Sequence, residues 1–513
     1  MNFNLPNTSK PFPKATFPPY FKFIHYLFKS VSYANALIRN RTNLAMPLAL
    51  LASQVLLQIM QPSSFAQNKQ STAETLTFAA APPVATSVTA SLANTASINR
   101  HDSSHLNQIG LSASNPFTSK PKRLANTMPN IKPFTIHVSD SALEDLAERL
   151  ARTRLPDQLD NTSWEYGTDL AYLTELVTYW REEFDWRKQE AELNQFDQFT
   201  TEVDGLTTHF IHQRSSNEDA MPLLLVHGWP GSISEFSKII GPLTNPQEHG
   251  LDPLDSFHVV APSLPGFGFS AIPSKSGYSP EKIAHILAQL MAQLGYEKFA
   301  IAGGDWGAII NRHMANTFPD KLIALHSNML LAAPPTDTTD KSTITEAEAS
   351  LRDNRLAYMR NEVGYQQIQS TKPQSLGYGL NDSPAGLAAW IVEKFHGWTD
   401  LPQGADGDLD SRLSKDEILT NISIYWHTQT ITSSTRIYYE NRQAPRLNEM
   451  DYIDVPTGVA IFPADIYITP KSWAQASYDI RHWTVMPKGG HFAALEEPQL
   501  YLEDLQKFFR LFR

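Results

Sequence analysis

Short apolar runs and longer amphipathic stretches alternate along most of the chain after residue 130. Six of the runs have the length and the β-branched or aromatic content of buried strands. They lie at residues 208–213, 222–228, 257–263, 298–304, 455–463 and 481–487. Because helical patterns separate most of them, as at Glu281 to Leu294, the chain is predicted to form an α/β fold with a mainly parallel sheet flanked by helices.

Two amphipathic helices are predicted before this series of strands. The first begins near Ser139 or Asp140, which are candidate caps, and it is stopped by Pro156. The second is predicted from Leu170 to Trp186. We therefore expect an N-terminal helical arm over residues 131–220.

A long stretch with helical patterning interrupts the series of strands at residues 335–450. The strands of the core then come from two parts of the chain, residues 221–334 and 451–513. An insertion above the carboxyl ends of parallel strands is well placed to cover a site there. The insertion is therefore predicted to be a helical lid.

The first part of the chain has a different composition. Basic residues without any acidic ones precede an apolar run at residues 44–60, and the small residues Ser64 and Ala66 follow it. This order is typical of an export signal cleaved after Ala66, so residues 1–66 are predicted to be a leader of a secreted or periplasmic protein. The alternative is an uncleaved membrane anchor formed by the same apolar run. Residues 67–130, rich in Ser, Ala, Thr and Asn, are predicted to be a disordered linker.

Charge and cysteine content exclude several kinds of chemistry. The 513 residues carry a formal net charge of −11, which argues against nucleic acid and anionic membrane surfaces as partners. The chain has no cysteine, which excludes disulfides, thiolate catalysis and cysteine-based metal sites. A chain without cysteine can also work in an oxidising compartment without mispairing.

An aspartate stands in a glycine frame where a predicted strand meets a predicted helix. The sequence "GGDWG", at residues 303–307, puts Asp305 where many hydrolases carry the nucleophilic serine of G-x-S-x-G. An aspartate is already ionised at neutral pH and can displace a leaving group from saturated carbon, which gives an alkyl ester. Water must then hydrolyse that ester, and this second step needs a base.

Candidates for the remaining groups follow along the chain. His491, in "KGGHFAALEEP", is the candidate base, and Asp465, in "FPADIY", is the candidate acid that orients the imidazole. Asp479 and Glu496 compete with Asp465 for that role. The order nucleophile, acid, histidine is the chain order of the α/β-hydrolase fold.

Hydrolysis of an ester generates an oxyanion that needs hydrogen-bond donors. The backbone N–H of Trp306, directly after Asp305, is one candidate. The backbone N–H of Trp229, in "HGWPGS", is the second. This scheme requires no metal and no cofactor.

Residues 133–513 resemble the microsomal-type epoxide hydrolases, including the juvenile-hormone epoxide hydrolases and their fungal soluble relatives. The segments that carry the resemblance are "YWREEFDW", "HGWPGS", "GGDWG", "GYQQIQSTKPQSLGYGLNDSPAGLAAWIVEKF" and "GGHFAALEEP". The arm resembles the epoxide hydrolase N-terminal domain. The resemblance implies an α/β-hydrolase fold with Asp305 as nucleophile, His491 as base and Asp465 as acid, where the membrane-bound members usually carry Glu and some soluble relatives carry Asp.

The resemblance also implies two lid tyrosines, Tyr365 and Tyr438, that hold the epoxide oxygen and protonate it as the ring opens. Tyr439, next to Tyr438, is the alternative assignment. The expected activity is hydrolysis of a small apolar epoxide to a vicinal diol.

Three other functions are alternatives to this one. Haloalkane dehalogenation uses the same carboxylate and histidine but releases a halide, which needs no acid. A serine-type esterase is disfavoured because the elbow has neither Ser nor Cys. An exported relative that has lost activity and only binds a ligand is the non-enzymatic alternative.

Overall fold

The computed structural model describes residues 130–334, 344–402, 407–442 and 451–513. The predicted leader, its cleavage point and nearly all of the predicted linker lie outside the described residues. Within them, no helix is both long and apolar enough to cross a membrane.

A nine-stranded sheet forms the centre of the described chain, in the order β1-β2-β3-β5-β4-β6-β7-β8-β9. The pairings β4–β5, β4–β6, β6–β7, β7–β8 and β8–β9 are parallel. The pairings β1–β2, β2–β3 and β3–β5 are antiparallel. The strands are β1 (Lys132–Phe134), β2 (Gln198–Val203), β3 (Leu206–Gln213), β4 (Met221–Val226), β5 (Phe257–Pro262), β6 (Phe299–Gly303), β7 (Leu322–Ser327), β8 (Ile453–Ile461) and β9 (Tyr478–Val485). The mainly parallel sheet predicted from the sequence is confirmed.

The six predicted strands correspond to β3, β4, β5, β6, β8 and β9. The other three strands were not predicted. In particular, β7 follows a short 3₁₀ turn at Pro319–Lys321, directly after a helix, so its six residues do not stand out as a separate run.

Three helices make up the arm, α1 (Asp140–Ala151), α2 (Leu170–Glu182) and α3 (Trp186–Leu193). Ser139 caps α1 by accepting a hydrogen bond from the N–H of Ala142. The predicted helix over Leu170 to Trp186 is wrong at its end, since α2 stops at Glu182. The Asp185 carboxylate then accepts hydrogen bonds from two N–H groups of the next turn and starts α3 there.

Helices cover both faces of the sheet. They are α4 (Ser237–Thr244), α5 (Pro280–Gln293), α6 (Asp305–Thr317), α13 (Lys471–Gln475), α14 (Ala493–Glu496) and α15 (Pro498–Phe509). Buried apolar side chains form one cluster that includes α5 and α6 and another that includes α4 and α15. Burial on both sides explains why the central strands read as continuous apolar runs.

The described part of the insertion that was expected to form a lid is helical. It contains α7 (Glu346–Glu362), α8 (Gly364–Thr371), α9 (Pro373–Leu380), α10 (Pro384–Trp398), α11 (Lys415–Thr428) and α12 (Ile431–Asn441). The lid is inserted between β7 and β8, which are parallel neighbours in the sheet, so it begins after the carboxyl end of β7 and ends before the amino end of β8. The arm holds the lid from outside, since the Tyr172 and Tyr179 hydroxyls donate to Asp410 (2.8 Å) and Asp416 (2.9 Å).

Candidate active site

A tight turn between β6 and α6 presents the carboxylate of Asp305. Its backbone is left-handed, with φ of 49°, a conformation that costs energy for any residue with a side chain. A Cβ added at Gly303 or Gly307 would overlap the carbonyl oxygen of Val226. The turn therefore packs directly on β4, and the glycine frame seen in the sequence is required by this close approach.

The carboxylate of Asp305 rests on the loop that follows β4. Its Oδ1 accepts a hydrogen bond of 2.8 Å from the backbone N–H of Trp229. A Cβ at Gly228 would overlap the Asp305 side chain, so only glycine lets the two segments meet. The other oxygen, Oδ2, lies 3.4 Å from Nε2 of His491.

His491 is held between Asp305 and Asp465, which brings the three predicted residues together. Its Nδ1 lies 2.7 Å from Oδ1 of Asp465, whose side chain has no solvent exposure. Because Nδ1–H donates its hydrogen bond to Asp465, Nε2 is the nitrogen left to face Asp305. An isolated parallel bridge between Ala464 and Gly490 aligns the two loops that carry the pair.

The charges on either side control the protonation of His491. Burial alone would lower its pKa, but the carboxylates of Asp465 and Asp305 outweigh that effect and raise it to about 10. The imidazole is thus a cation at neutral pH while Asp305 is ionised. Neutralising Asp305 would remove one of the two charges and lower the pKa of His491, which would then be able to accept a proton.

Asp479 and Glu496, the two alternative candidates for the acid that orients His491, have other partners. Asp479 is paired with Arg481 at 2.9 Å. Glu496 accepts hydrogen bonds of 2.9 Å from the backbone N–H groups of Gly490 and Phe492, on both sides of His491. Glu496 therefore fixes the loop that carries the histidine, while Asp465 contacts the imidazole itself.

Two tyrosines of the lid close the site over Asp305. The Tyr365 ring stacks on Trp229 with centroids 5.4 Å apart, and the Tyr438 ring lies edge-on to Trp306 at 4.6 Å. The two tyrosine rings are 5.8 Å apart. Tyr438 is 4% exposed, whereas Tyr439 is 46% exposed, so only the first of these neighbours faces the site.

Both tyrosines are in a state that can donate a proton. Burial, followed by the negative charge of Asp305, raises the pKa of Tyr365 above its usual value. Burial, followed by the neighbouring Tyr365, does the same to the pKa of Tyr438. The hydroxyl of Tyr438 is buried and makes no hydrogen bond within 3.5 Å among the described residues, although Tyr365 and Trp306 are near enough to affect its pKa.

The two predicted oxyanion donors are neighbours of Asp305, Trp229 in space and Trp306 in sequence. The N–H of Trp229 already binds Asp305 Oδ1. Trp306 is the second residue of α6, so its N–H has no acceptor one turn earlier within the helix. In the described part of the chain, no group of three or more His, Asp or Glu side chains is arranged to hold a metal ion.

Sequence reasoning missed the residues that support the loop after β4. Asn421 donates to the carbonyl oxygen of Pro230, and Tyr425 donates to that of Gly231, both at 2.7 Å. These two residues lie one turn apart on α11, so a polar pair on one face of a lid helix was the available signal. Glu235, just after the loop, also lies at the site and was not singled out.

The chain matches two family models. One is described as epoxide hydrolase N terminus and matches residues 131–236, and the other, alpha/beta hydrolase fold, matches residues 221–498. Epoxide hydrolase 1 of Sus scrofa is 42% identical over 404 residues, which cover 74% of this chain and 89% of that protein.

Two solved structures share the fold. Juvenile hormone epoxide hydrolase from the silkworm Bombyx mori has a TM-score of 0.70 at 35% identity, over 75% of this chain and 95% of that chain. Aspergillus niger epoxide hydrolase has a TM-score of 0.67 at 34% identity, over 74% and 96% of the two chains. The protein therefore has the α/β-hydrolase fold. Within that class, it belongs to the microsomal-type epoxide hydrolase family.

Proposed function

We propose that this protein hydrolyses a small apolar epoxide to a vicinal diol through a covalent ester at Asp305. The observation that carries the proposal is one carboxylate that faces His491 at 3.4 Å on one side and lies under two buried tyrosines. The similarity to three proteins named as epoxide hydrolases supports the same substrate class. The indole and phenol rings around Asp305 favour an apolar substrate.

In the first step, Oδ2 of Asp305 attacks an epoxide carbon. The carbon–oxygen bond of the ring breaks, and the oxygen takes a proton from Tyr365 or Tyr438, which becomes a phenolate. A halide leaving group would need no such proton. The two buried phenols therefore favour an epoxide over a haloalkane.

In the second step, water attacks the ester carbonyl. Neutralisation of Asp305 lowers the pKa of His491, which loses its proton to solvent and then takes one from the attacking water through Nε2. The oxyanion forms on Oδ1, within reach of the N–H of Trp229 and next to that of Trp306. The ester bond then breaks, and the diol oxygen takes the proton held by His491. Asp305 and the phenolate recover their starting states by exchange of one proton, and His491 takes back from solvent the proton that it lost.

One turnover in water enriched in heavy oxygen tests this route. Attack of water on the ester carbonyl transfers the label to the Asp305 carboxylate, which peptide mass spectrometry detects. The diol formed in that first turnover carries no label, because its new oxygen comes from Asp305. Label found in the diol and not in Asp305 would instead indicate direct attack of water on the epoxide.

We also propose that residues 1–66 direct export and are removed after Ala66. The apolar run at 44–60 and the small residue at position 64 support this reading. Fractionation of cells expressing the full chain, followed by N-terminal sequencing, should find a soluble exported protein that begins at Gln67. The variant A66L should slow its removal. A membrane-bound protein that retains residues 44–60 would favour the anchor instead.

A further inference from the structure

We infer that Glu235 is a positioning residue that holds the hydrolytic water against His491. The inference rests on the proposed function, and it assigns to Glu235 a contact with the water that attacks the ester. Glu235 lies in a short 3₁₀ turn, Ile233–Phe236, that directly follows the loop carrying Trp229.

A small cavity separates Glu235 from the triad. Its lining residues are Gly228, Trp229, Gly231, Glu235, Gly304, Asp305, His491 and Phe492. The cavity measures about 10 Å³. That is room for about one water molecule, and a buried water also needs polar partners to be stable. Asp305, His491 and Glu235 supply those partners.

The carboxyl groups of Asp305 and Glu235 both pack against the backbone of the loop after β4. Asp305 lies over Gly228, and a Cβ at Gly231 would lie 2.5 Å from Oε2 of Glu235. Gly228 and Gly231 therefore have the same role. Because neither has a side chain, the Asp305 carboxylate can pack against the first and the Glu235 carboxyl against the second. Within the described residues, the Glu235 carboxyl lines the cavity without a hydrogen bond to a protein group. Its capacity to bind water is therefore unused by the fold.

The charges that face Glu235 permit contact with water in either protonation state. Burial raises its pKa, the His491 cation lowers it, and the carboxylates of Asp305, Asp465 and Glu496 raise it, to about 7 overall. Ionised, the group accepts a hydrogen bond from water, and protonated, it keeps one oxygen as an acceptor.

The consequence is specific to the second chemical step. His491 can take only one proton of the water, and a second acceptor fixes the remaining O–H and so directs the lone pair at the ester carbon. The first step involves Asp305 and the tyrosines and does not use this water. Loss of Glu235 should therefore slow hydrolysis of the ester and leave its formation unchanged.

Single-turnover measurements on E235A and E235Q test the inference. The protein is mixed with excess terminal aryl epoxide, quenched in acid, and the ester on Asp305 is quantified by intact mass. We expect E235A to form the ester at the parent rate and to hydrolyse it about tenfold or more slowly, the effect of one lost hydrogen bond. E235Q keeps an oxygen acceptor of similar shape and should recover most of the loss. E248Q, at an exposed glutamate of another 3₁₀ turn, is the matched control.

Three outcomes would overturn the inference. E235A could hydrolyse the ester as fast as the parent, or it could slow both steps equally, which would mean a structural role. E235Q could also be as slow as E235A, in which case an acceptor alone would not suffice; this variant decides the matter if E235A does not fold. Failure of the parent protein to form any ester is a separate result, because it would contradict the proposed function itself.

Discussion

The molecule contains two buried pairs of histidine and aspartate that look alike at first sight. In the site, His491 Nδ1 lies 2.7 Å from Asp465 Oδ1. At the other, His326 Nε2 of β7 lies 2.8 Å from Asp504 Oδ2 of α15. The four side chains are almost entirely shielded from solvent. The pair by itself is therefore not what makes one of them a candidate for catalysis.

The difference lies in what each pair meets next. The second nitrogen of His491 faces Asp305 beside a small cavity. Nδ1 of His326 is instead buried beside the ring of Tyr501, with no hydrogen-bond partner among the described residues. Asp504 uses its other oxygen to bind His482 at 2.8 Å, so its hydrogen bonds fasten α15 to β7 and β9. We therefore expect a histidine–aspartate pair to be reactive only where the histidine also faces a second polar side chain, here Asp305, and a cavity that can hold a small molecule.

The largest expected effect comes from removing that second neighbour. D305A takes away the carboxylate that lies 3.4 Å from Nε2 of His491, and with it the atom that forms the ester. We expect diol formation to fall by at least about 10⁴-fold, as for loss of a covalent nucleophile, and no adduct to appear in the intact mass. A variant that keeps near-parental turnover would show that the contrast between the two pairs has no chemical meaning.

The next effect compares the two aspartates directly. D465N removes the charge that stabilises the His491 cation, so the ester should accumulate and its hydrolysis should slow by about 10³-fold. D504N makes the same chemical change at the other pair and should leave both steps at the parent rate per folded molecule. Rapid-quench measurement of the ester distinguishes the two variants. Equal losses of hydrolysis in both would contradict the assignment of Asp465.

The sheet could be predicted from the sequence because its strands are buried on both faces. The apolar runs that became β4, β5 and β6 are continuous and bounded by turns, so they carry their own signal. The end of α2 could not be predicted, because the apolar pattern continues to Trp186 and only the capping by Asp185 breaks the helix. Strand β1 has three residues and gains its structure from pairing with β2.

The residues of the candidate site likewise fall into those that could be predicted from the sequence and those that could not. Asp305, His491 and Asp465 stand in local glycine-rich or strand-ending motifs that can be recognised without knowing their neighbours. The contact between Asn421 and Pro230 joins residues 191 positions apart and leaves no local pattern. Glu235 acquires its setting from a cavity that exists only after three separate segments of the chain meet.

Substitution of a lid tyrosine should lower the reaction rate less than substitution of a triad residue. Y438F removes a buried proton donor close to Trp306 but leaves Tyr365 in place. We expect ester formation to slow by about 10²-fold, with hydrolysis of the ester nearly unchanged, which is the reverse of the result for D465N. Y439F, at the exposed neighbour, is the matched control and should behave as the parent. Slower hydrolysis with normal ester formation in Y438F would contradict its assignment as proton donor.

The smallest effect on turnover, and the clearest effect on stability, is expected for D504N. Burial opposes ionisation of Asp504, but hydrogen bonds from His326 and His482 hold its pKa well below the usual 3.8. Such a group stabilises the fold fully above its unfolded pKa and loses that contribution as the pH falls towards the lower folded value. Near pH 7, D504N should lower the free energy of unfolding by about 3 kcal/mol, the cost of breaking a buried pair.

Thermal unfolding of the parent and D504N between neutral pH and about pH 3 measures this difference, since Asp504 begins to lose its advantage below the ordinary carboxyl pKa of about 4. The gap in Tm should be widest at neutral pH and should narrow with acid, because only the parent has this carboxylate to protonate. D465N is the counterpart, and its main loss should be in ester hydrolysis. If D504N unfolded like the parent and yet formed no diol, the two pairs would have exchanged roles, and the distinction drawn from the second neighbour of each histidine would be wrong.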